Sequence, residues 1–379
     1  MHILRIKLSS GKYKPVLISD GIPIYLSFKY SVLKLKTRSY KTQYNHLHSI
    51  KIVFEYYHQL EVDFPKEVLA NDFNKVWDSL DNLIDWVYYY KSRKKNSEKP
   101  IISNLTFNSH LSRIKEFVTW CFLNYSLENK KITIRKINGL FNSHKIRIGP
   151  SSTYKSISNK DISSILNLID SNNETNPFIK RNRIRNYVIF LIMMDTGLRM
   201  SELLKLTTDD IIRDEQKTYL RILNRNDDIE DSRISQPRLK NLHSQRIIGI
   251  GSKTYQILDQ YILYTRKRSR SHRYLFTSDR KGSPLSKSTV SSIFSVISQK
   301  TDIQLTPHML RHNFAERMLK YLIETRGIDM ERAKDELQLI CGWSLNSRMP
   351  ILYSRNYISK LANNHNIERL KNEESNQNP

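Results

Sequence analysis

Two arginines stand inside the most apolar stretches of this 379-residue chain, and their placement restricts how it can fold. Arg311 lies in TPHMLRHNFAERML at 306–319, and Arg199 closes the run VIFLIMMDTGLRM at 188–200. A guanidinium cannot shed its charge, so if these side chains are buried each must meet an anion. With a helical period, Leu310, Phe314 and Leu319 cover one side of 306–319, while His308 and Arg311, three apart, share the other. Glu202 follows Arg199 by three positions, and Gly197 breaks the apolar pattern just before it. SELLKLTTDDI then reads as a new helix capped by Ser201, without a capping box because Leu204 holds the third place.

The formal net charge is +25, spread from end to end rather than gathered in a tail. A folded chain so basic points to a nucleic-acid partner, because a phosphate backbone offsets the self-repulsion. The bland reading is a basic solvated surface. Length and a 39% hydrophobic content suit two domains with real cores. No run of about 18 uncharged apolar residues is present, so no spanning helix is expected. The opening MHILRIKLSSGKYK lacks the apolar region of a signal peptide. Cys121 and Cys341, far apart in apolar contexts, read as free buried thiols in a reducing compartment. No CxxC supports structural zinc, and no HExxH or paired-carboxylate set supports another metal; no cofactor is expected.

In order along the chain, residues 1–30 alternate apolar and polar with SSGK and SDG turns, and read as a small β-rich segment. Residues 31–150 read as a helical domain of about four helices: 38–60, one or two over 66–91, and 105–127, with a basic loop at 92–100. KITIRKI at 131–137 reads as a short extended piece, and the domain boundary falls within the basic stretch 130–160. Residues 151–370 form the second domain. There TYLRILN, QRIIGI and YLFTS read as strands, and a long polar connection between the first two carries Lys240 near its far end. Helices are expected at 252–268, 287–300 and 306–319, then an extended ERAKDELQLICGW and a short amphipathic helix at 356–371. The tail 371–379 reads as disordered.

In this order the motifs resemble the tyrosine recombinase, or phage integrase, family. TGLRMSELLKL matches its first arginine motif, with Arg199 as the arginine and Glu202 as its supporting acid. TPHMLRHNFA matches the H-x-x-R-H motif and places His308 and Arg311, LICGWS places Trp343, and ILYSRNY places Tyr353 as the nucleophile, with Tyr357 as the alternative. Lys240 fits the lysine of the family's β-hairpin loop, although by composition alone Lys253 would serve as well. The matches run from about 180 to 360. Trp343 replaces the commoner histidine, Tyr353 stands ten residues beyond it where nine is usual, and an insertion falls around LIETRGIDMERAKD as a longer helix or loop.

The resemblance implies a multidomain protein: a helical N-terminal core-binding domain and a mixed, mainly α catalytic domain with a small antiparallel sheet. It implies site-specific cleavage and rejoining of double-stranded DNA through a 3′-phosphotyrosyl link. Arg199 and Arg311 would clamp the phosphate bidentately. His308 would hydrogen-bond it or handle the tyrosine proton, and Lys240 would protonate the leaving 5′ oxygen. Trp343 can only donate. The implied assembly is a dimer on each site and a homo-tetramer on paired sites, with room for an accessory directionality protein. The setting is cytoplasmic, bacterial or phage- or plasmid-encoded, associated with the nucleoid and away from membranes. Alternatives are an inactive or regulatory DNA-binding protein, a type IB topoisomerase-like enzyme, and a telomere-resolving or transposon-type relative.

Overall fold

The structure is a computed structural model that describes residues 1–94, 102–127, 129–149, 157–226 and 228–376. Residues 95–100 of the expected basic loop, 150–156 of the expected interdomain stretch and 377–379 of the tail lie outside the described residues. The chain divides into two compact units, Met1–Ser152 and Thr153–Pro379.

The first unit opens with strands β1 (His2–Lys7), β2 (Tyr13–Ser19) and β3 (Ile22–Pro23), antiparallel in the order β1-β2-β3. Helix α1 (Tyr25–Leu33) follows at once, so the β-rich segment ends at Pro23. Then come α2 (Tyr40–Gln59), α3 (Phe64–Leu69), α4 (Asn74–Asp78), α5 (Leu80–Lys94), α6 (Asn104–Tyr125) and α7 (Lys130–Ser143). The stretch 66–91 thus falls in three helices rather than one or two, two of them short, and Asn71 in the left-handed region (φ 60) breaks the chain after α3. The expected extended piece KITIRKI is the start of α7. Its β-branched residues suggest a strand, but the Asn129 side chain caps Lys131 and Ile132, and Thr133, Ile137 and Phe141 bury one helical stripe. The core is aromatic, with Phe54, Phe64 and Phe117 in mutual contact and Tyr30 and Trp120 beside them.

The second unit is built on α9 (Lys180–Thr196), which follows α8 (Asn159–Ile169). Tyr187 through Met193 are all buried, and a helix apolar on every side belongs at the centre of its domain. Each such side chain contributes about 1.5–3 kcal/mol when fully covered. Gly197 ends α9 in the left-handed conformation (φ 57). The next helix, α10 (Met200–Leu203), is a single turn with Arg199, not Ser201, at its N-cap. The Glu202 carboxylate accepts the Arg199 backbone N–H at 3.0 Å, the half of a capping box that counting from Ser201 misses. The expected long helix SELLKLTTDDI stops there, because Thr207 and Asp210 bond each other in a tight turn and Ile211 enters a strand.

Strands β4 (Ile211–Asp214), β5 (Lys217–Ile222) and β6 (Arg246–Ile250) form an antiparallel sheet in that order. Helices α11 (Ser252–Gln260), α12 (Lys287–Thr301) and α13 (Pro307–Lys320) complete the middle of the unit. YLFTS makes only isolated bridges, Thr207 to Tyr274 and Thr277 to Pro284, too short for a strand. The insertion after α13 is a π-helical turn, Tyr321–Thr325, and the expected extended ERAKDELQLICGW is helix α14 (Met330–Cys341), capped by Asp329. Leu337 and Ala333, four apart, bury its inner stripe. Helix α15 (Met349–Asn376) runs unbroken past the expected disordered boundary at 371. Among the described residues no helix is long and apolar enough to cross a membrane.

Gly197 has no room for a side chain. An added Cβ would lie 2.4 Å from Phe314 Cδ1, at a φ that L residues rarely adopt. Gly197→Ala should therefore cost about 2–4 kcal/mol of stability, read as a lower denaturation midpoint in urea. An unchanged midpoint would mean that Phe314 swings aside and that the left-handed turn carries no strain.

Candidate active site

The site forms where α10, β6, α13, α14 and α15 meet in the second unit. Its centre is the Glu202 carboxylate, whose side chain is wholly buried. Arg199 Nη1 donates to Glu202 Oε1 at 2.5 Å, Arg246 Nη2 to Oε2 at 3.0 Å, and Arg311 Nη1 lies 3.9 Å from Oε2. Burial alone would raise this carboxyl; the guanidiniums of Arg246, Arg199 and Arg311 outweigh it and hold it below the usual range. The carboxylate therefore stays charged and pins three cations.

Backbone carbonyls hold the rest of each guanidinium. Arg311 donates to Gly197 O at 2.6 Å and Cys341 O at 2.5 Å. Arg199 donates to Gly342 O at 3.2 and 3.3 Å. These carbonyls are exposed because α9 and α14 both end in left-handed glycines, Gly197 and Gly342, which leave their last carbonyls unpaired within the helix. Burial pushes the Arg311 guanidinium down to about 10, which leaves it cationic at neutral pH. Each guanidinium has five N–H donors, so Arg199 and Arg311 retain donors for an anion.

Tyr353 is buried on α15 with its ring stacked on Trp343, centroids 5.5 Å apart and planes within 11°. The Arg311 guanidinium lies over the Trp343 ring at 5.7 Å. The Tyr353 hydroxyl is hydrogen-bonded to His312 Nδ1, and the His312 and His308 rings meet edge-on at 4.2 Å. Arg199, Glu202, Arg311, Trp343 and Tyr353 are thus one connected cluster, with His308 at its exposed rim. Lys240 is exposed, and its ammonium is among the charges that, after burial, Arg311 and Arg199, keep His308 below its ordinary value. Lys253 stands elsewhere, against Tyr187. Tyr357, one turn beyond Tyr353, points away and donates to Glu324 at 3.2 Å. Both cysteines are free and buried. Among the described residues no cluster of His, Cys, Asp or Glu could hold a metal ion.

Two members of the cluster escape sequence reasoning. Arg246 opens β6 and bonds Ile340 O at 2.7 Å and Ser244 O at 2.7 Å besides Glu202. Nothing in QRIIGI distinguishes it from an exposed strand arginine. His312 does carry a signal, because it falls four residues after His308 and so on the same helical face.

Comparison with known proteins bears on the family and the fold. Residues 155–333 match the family model described as the phage integrase family. Transposase A from transposon Tn554 of Staphylococcus aureus is 22% identical over 345 residues, 84% of this chain and 87% of that protein. Tyrosine recombinase XerA of Pyrococcus furiosus is 29% identical over 183 residues, 48% of this chain and 52% of that one. Among solved structures, the Tn1549 transposon integrase in complex with circular intermediate DNA superposes with a TM-score of 0.56 at 17% identity, covering 89% of this chain and 98% of that chain. A lambda integrase dimer bound to a core site gives a TM-score of 0.50 at 15% identity, over 87% and 94%. The phage integrase family match covers residues 155–333, and with these relatives it supports a tyrosine recombinase. The protein is accordingly a site-specific recombinase, in a class whose chemistry runs through a phosphotyrosyl link.

Burial, His308 and Arg311 together pull the His312 imidazole down to about 4, from 6.5 when unfolded. Between those values the unfolded chain binds the proton and the native one does not. Stability from this group is therefore complete above about 6.5 and drains as pH falls toward 4. The melting temperature should drop between about pH 7 and about pH 5, and drop less in His312→Asn. Equal slopes in the two proteins would mean that His312 does not titrate this way.

Proposed function

We propose that the protein recombines double-stranded DNA with Tyr353 as the covalent nucleophile. The observation that carries this reading is the position of Tyr353, stacked on Trp343 beneath the Arg311 guanidinium with its hydroxyl on His312. Tyr357 bonds a surface glutamate instead. The Tyr353 oxygen attacks the scissile phosphorus, the P–O5′ bond breaks, and a 3′-phosphotyrosyl link and a 5′-hydroxyl result. Neutral His312 can accept the tyrosine proton through Nδ1. Arg199 and Arg311 clamp the non-bridging oxygens, with Glu202 orienting them. His308 donates to the phosphate from the rim, Trp343 packs the nucleophile, and Lys240 delivers a proton to the leaving 5′ oxygen. A 5′-hydroxyl from the partner strand then reverses the attack, so the bond energy is conserved.

The first unit supplies a second DNA contact. On α2 and α6 a cleft of about 480 Å³ is lined by Lys41, Tyr44, Asn45, His48, Ser109 and Arg113. These residue types suit phosphate and base-edge hydrogen bonds. Assembly as a dimer on each site and a tetramer on paired sites is supported by α15. Its residues 362–373 are all exposed, and Ile358, Ile367 and Leu370 present apolar surface that their own unit does not cover.

The test uses a suicide duplex of the sequence that the protein selects from random DNA, nicked beside the cleavage point. Wild type and Tyr357→Phe should form a covalent adduct on a denaturing gel. Tyr353→Phe should bind the duplex and form none. Loss in Tyr357→Phe alone would move the nucleophile. Tight binding without any adduct would replace recombination by DNA binding alone.

A further inference from the structure

The connection between β5 and β6 is unusually long, and its composition suggests an open polar loop. Instead it folds back onto the unit through buried charge. The Asp231 carboxylate is fully buried, and it accepts from Lys205 Nζ at 2.9 Å and from Arg233 Nε and Nη2 at 2.7 and 2.8 Å. Arg233 Nη1 also donates to Leu204 O at 3.0 Å, directly behind α10, and to Leu285 O at 2.9 Å. Tyr274 closes the group: its hydroxyl accepts from Lys205 at 3.1 Å and donates to Asp228, while its ring lies under the Arg233 guanidinium. Gln236 then ties the turn, donating to Asp228 O and Asp231 O.

This network is costly to build. Burying Lys205 and Arg233 requires desolvating two cations, and only a matched set of anions and hydrogen bonds offsets that. An ordinary surface loop needs none of it. The chain leaving the network runs straight to Lys240, which is fastened on both sides. Before it, Leu239 joins the core and its N–H donates to Asn226 Oδ1 at 3.1 Å. After it, Asn241 Oδ1 accepts from Ser244 Oγ at 3.0 Å, and Ser244 Oγ in turn meets Arg199 Nη1 at 3.4 Å. Among the described residues Lys240 makes no hydrogen bond or ion pair, and it remains exposed beside His308.

We infer that residues 228–241 are a strap whose Lys205–Asp231–Arg233 clip positions Lys240 to protonate the leaving 5′ oxygen. The clip residues are positioning residues, acting through Lys240 without touching DNA. The inference rests on the proposed role of Lys240. In the step concerned the P–O5′ bond breaks and the electron pair goes to O5′. That oxygen takes a proton from the Lys240 ammonium, which is left as a neutral amine.

A 5′-bridging phosphorothiolate separates this role from a structural one. Its P–S bond breaks to release a thiolate, which leaves without a proton because thiols are far more acidic than alcohols. The rate of adduct formation at saturating protein is measured on matched oxygen and sulfur duplexes. Lys240→Ala should slow the oxygen substrate by about 10²–10⁴-fold and leave the sulfur one near the wild-type rate. Asp231→Asn and Asn226→Ala should each slow oxygen by roughly tenfold or more and sulfur by no more than about twofold. If sulfur rescues Lys240→Ala but not Asp231→Asn or Asn226→Ala, the strap is not a positioning device for Lys240. If sulfur fails to rescue Lys240→Ala, the general-acid role falls and takes the strap's purpose with it. Thermal melts accompany each variant. Should Asp231→Asn lose its cooperative transition, Asn226→Ala, at a less buried position, decides by the same comparison.

Discussion

One carboxylate organises the catalytic unit. Glu202 is wholly buried and faces Arg199, Arg246 and Arg311, which come from three different elements. Without it three guanidiniums would share a low-dielectric site with no counter-charge, a cost of several kcal/mol for each unpaired ion. With it the balance is still incomplete, because one negative charge against three positive leaves two uncompensated. A phosphodiester brings one negative charge, and the five-coordinate transition state brings another. For the reaction proposed above, such a site would match the transition state better than the ground state, which is the condition for accelerating a chemical step.

The arrangement of helix ends explains how those cations can be buried at all. Gly197 and Gly342 both adopt left-handed geometry (φ 57 and 59), and their helices stop with carbonyls facing the arginines. Room is limited at both places. A Cβ on Gly342 would stand 2.6 Å from Arg246 Nη1, just as one on Gly197 would strike Phe314. Two glycines thus serve backbone shape and charge placement together. The same helix end that terminates α14 delivers Trp343, and Trp343 carries Tyr353 on its face.

Charge is used differently a short distance away. In the strap, Lys205, Asp231 and Arg233 neutralise one another with Asp228 and Tyr274, and nothing is left for a ligand. One cluster is deliberately unbalanced and open to an anion, the other balanced and closed. Both adjoin α10: Arg199 and Glu202 begin it, and Leu204 and Lys205 follow it. That single helical turn links the arginine cluster around Glu202 to the strap that carries Lys240.

Much of this was legible in the sequence because some residue types admit few explanations. Arginines in apolar runs demand anions, so Arg199 and Arg311 stood out; helical spacing paired His308 with Arg311, and strand alternation found β5 and β6. Local signals misled where tertiary contacts outweighed them. KITIRKI has the β-branched residues of a strand, yet a cap and a four-residue stripe make it helical. SELLKLTTDDI has helical periodicity, yet Thr207 and Asp210 divert it into a turn. Arg246 and the Asp231 clip could not be read from the chain, since each is defined by partners 26 to 94 residues away. The sequence by itself determined which buried cations and aromatic hydroxyls the fold must accommodate. Only the tertiary structure decided which of them meet, because charge pairing across such separations depends on where helices end and not on local propensity.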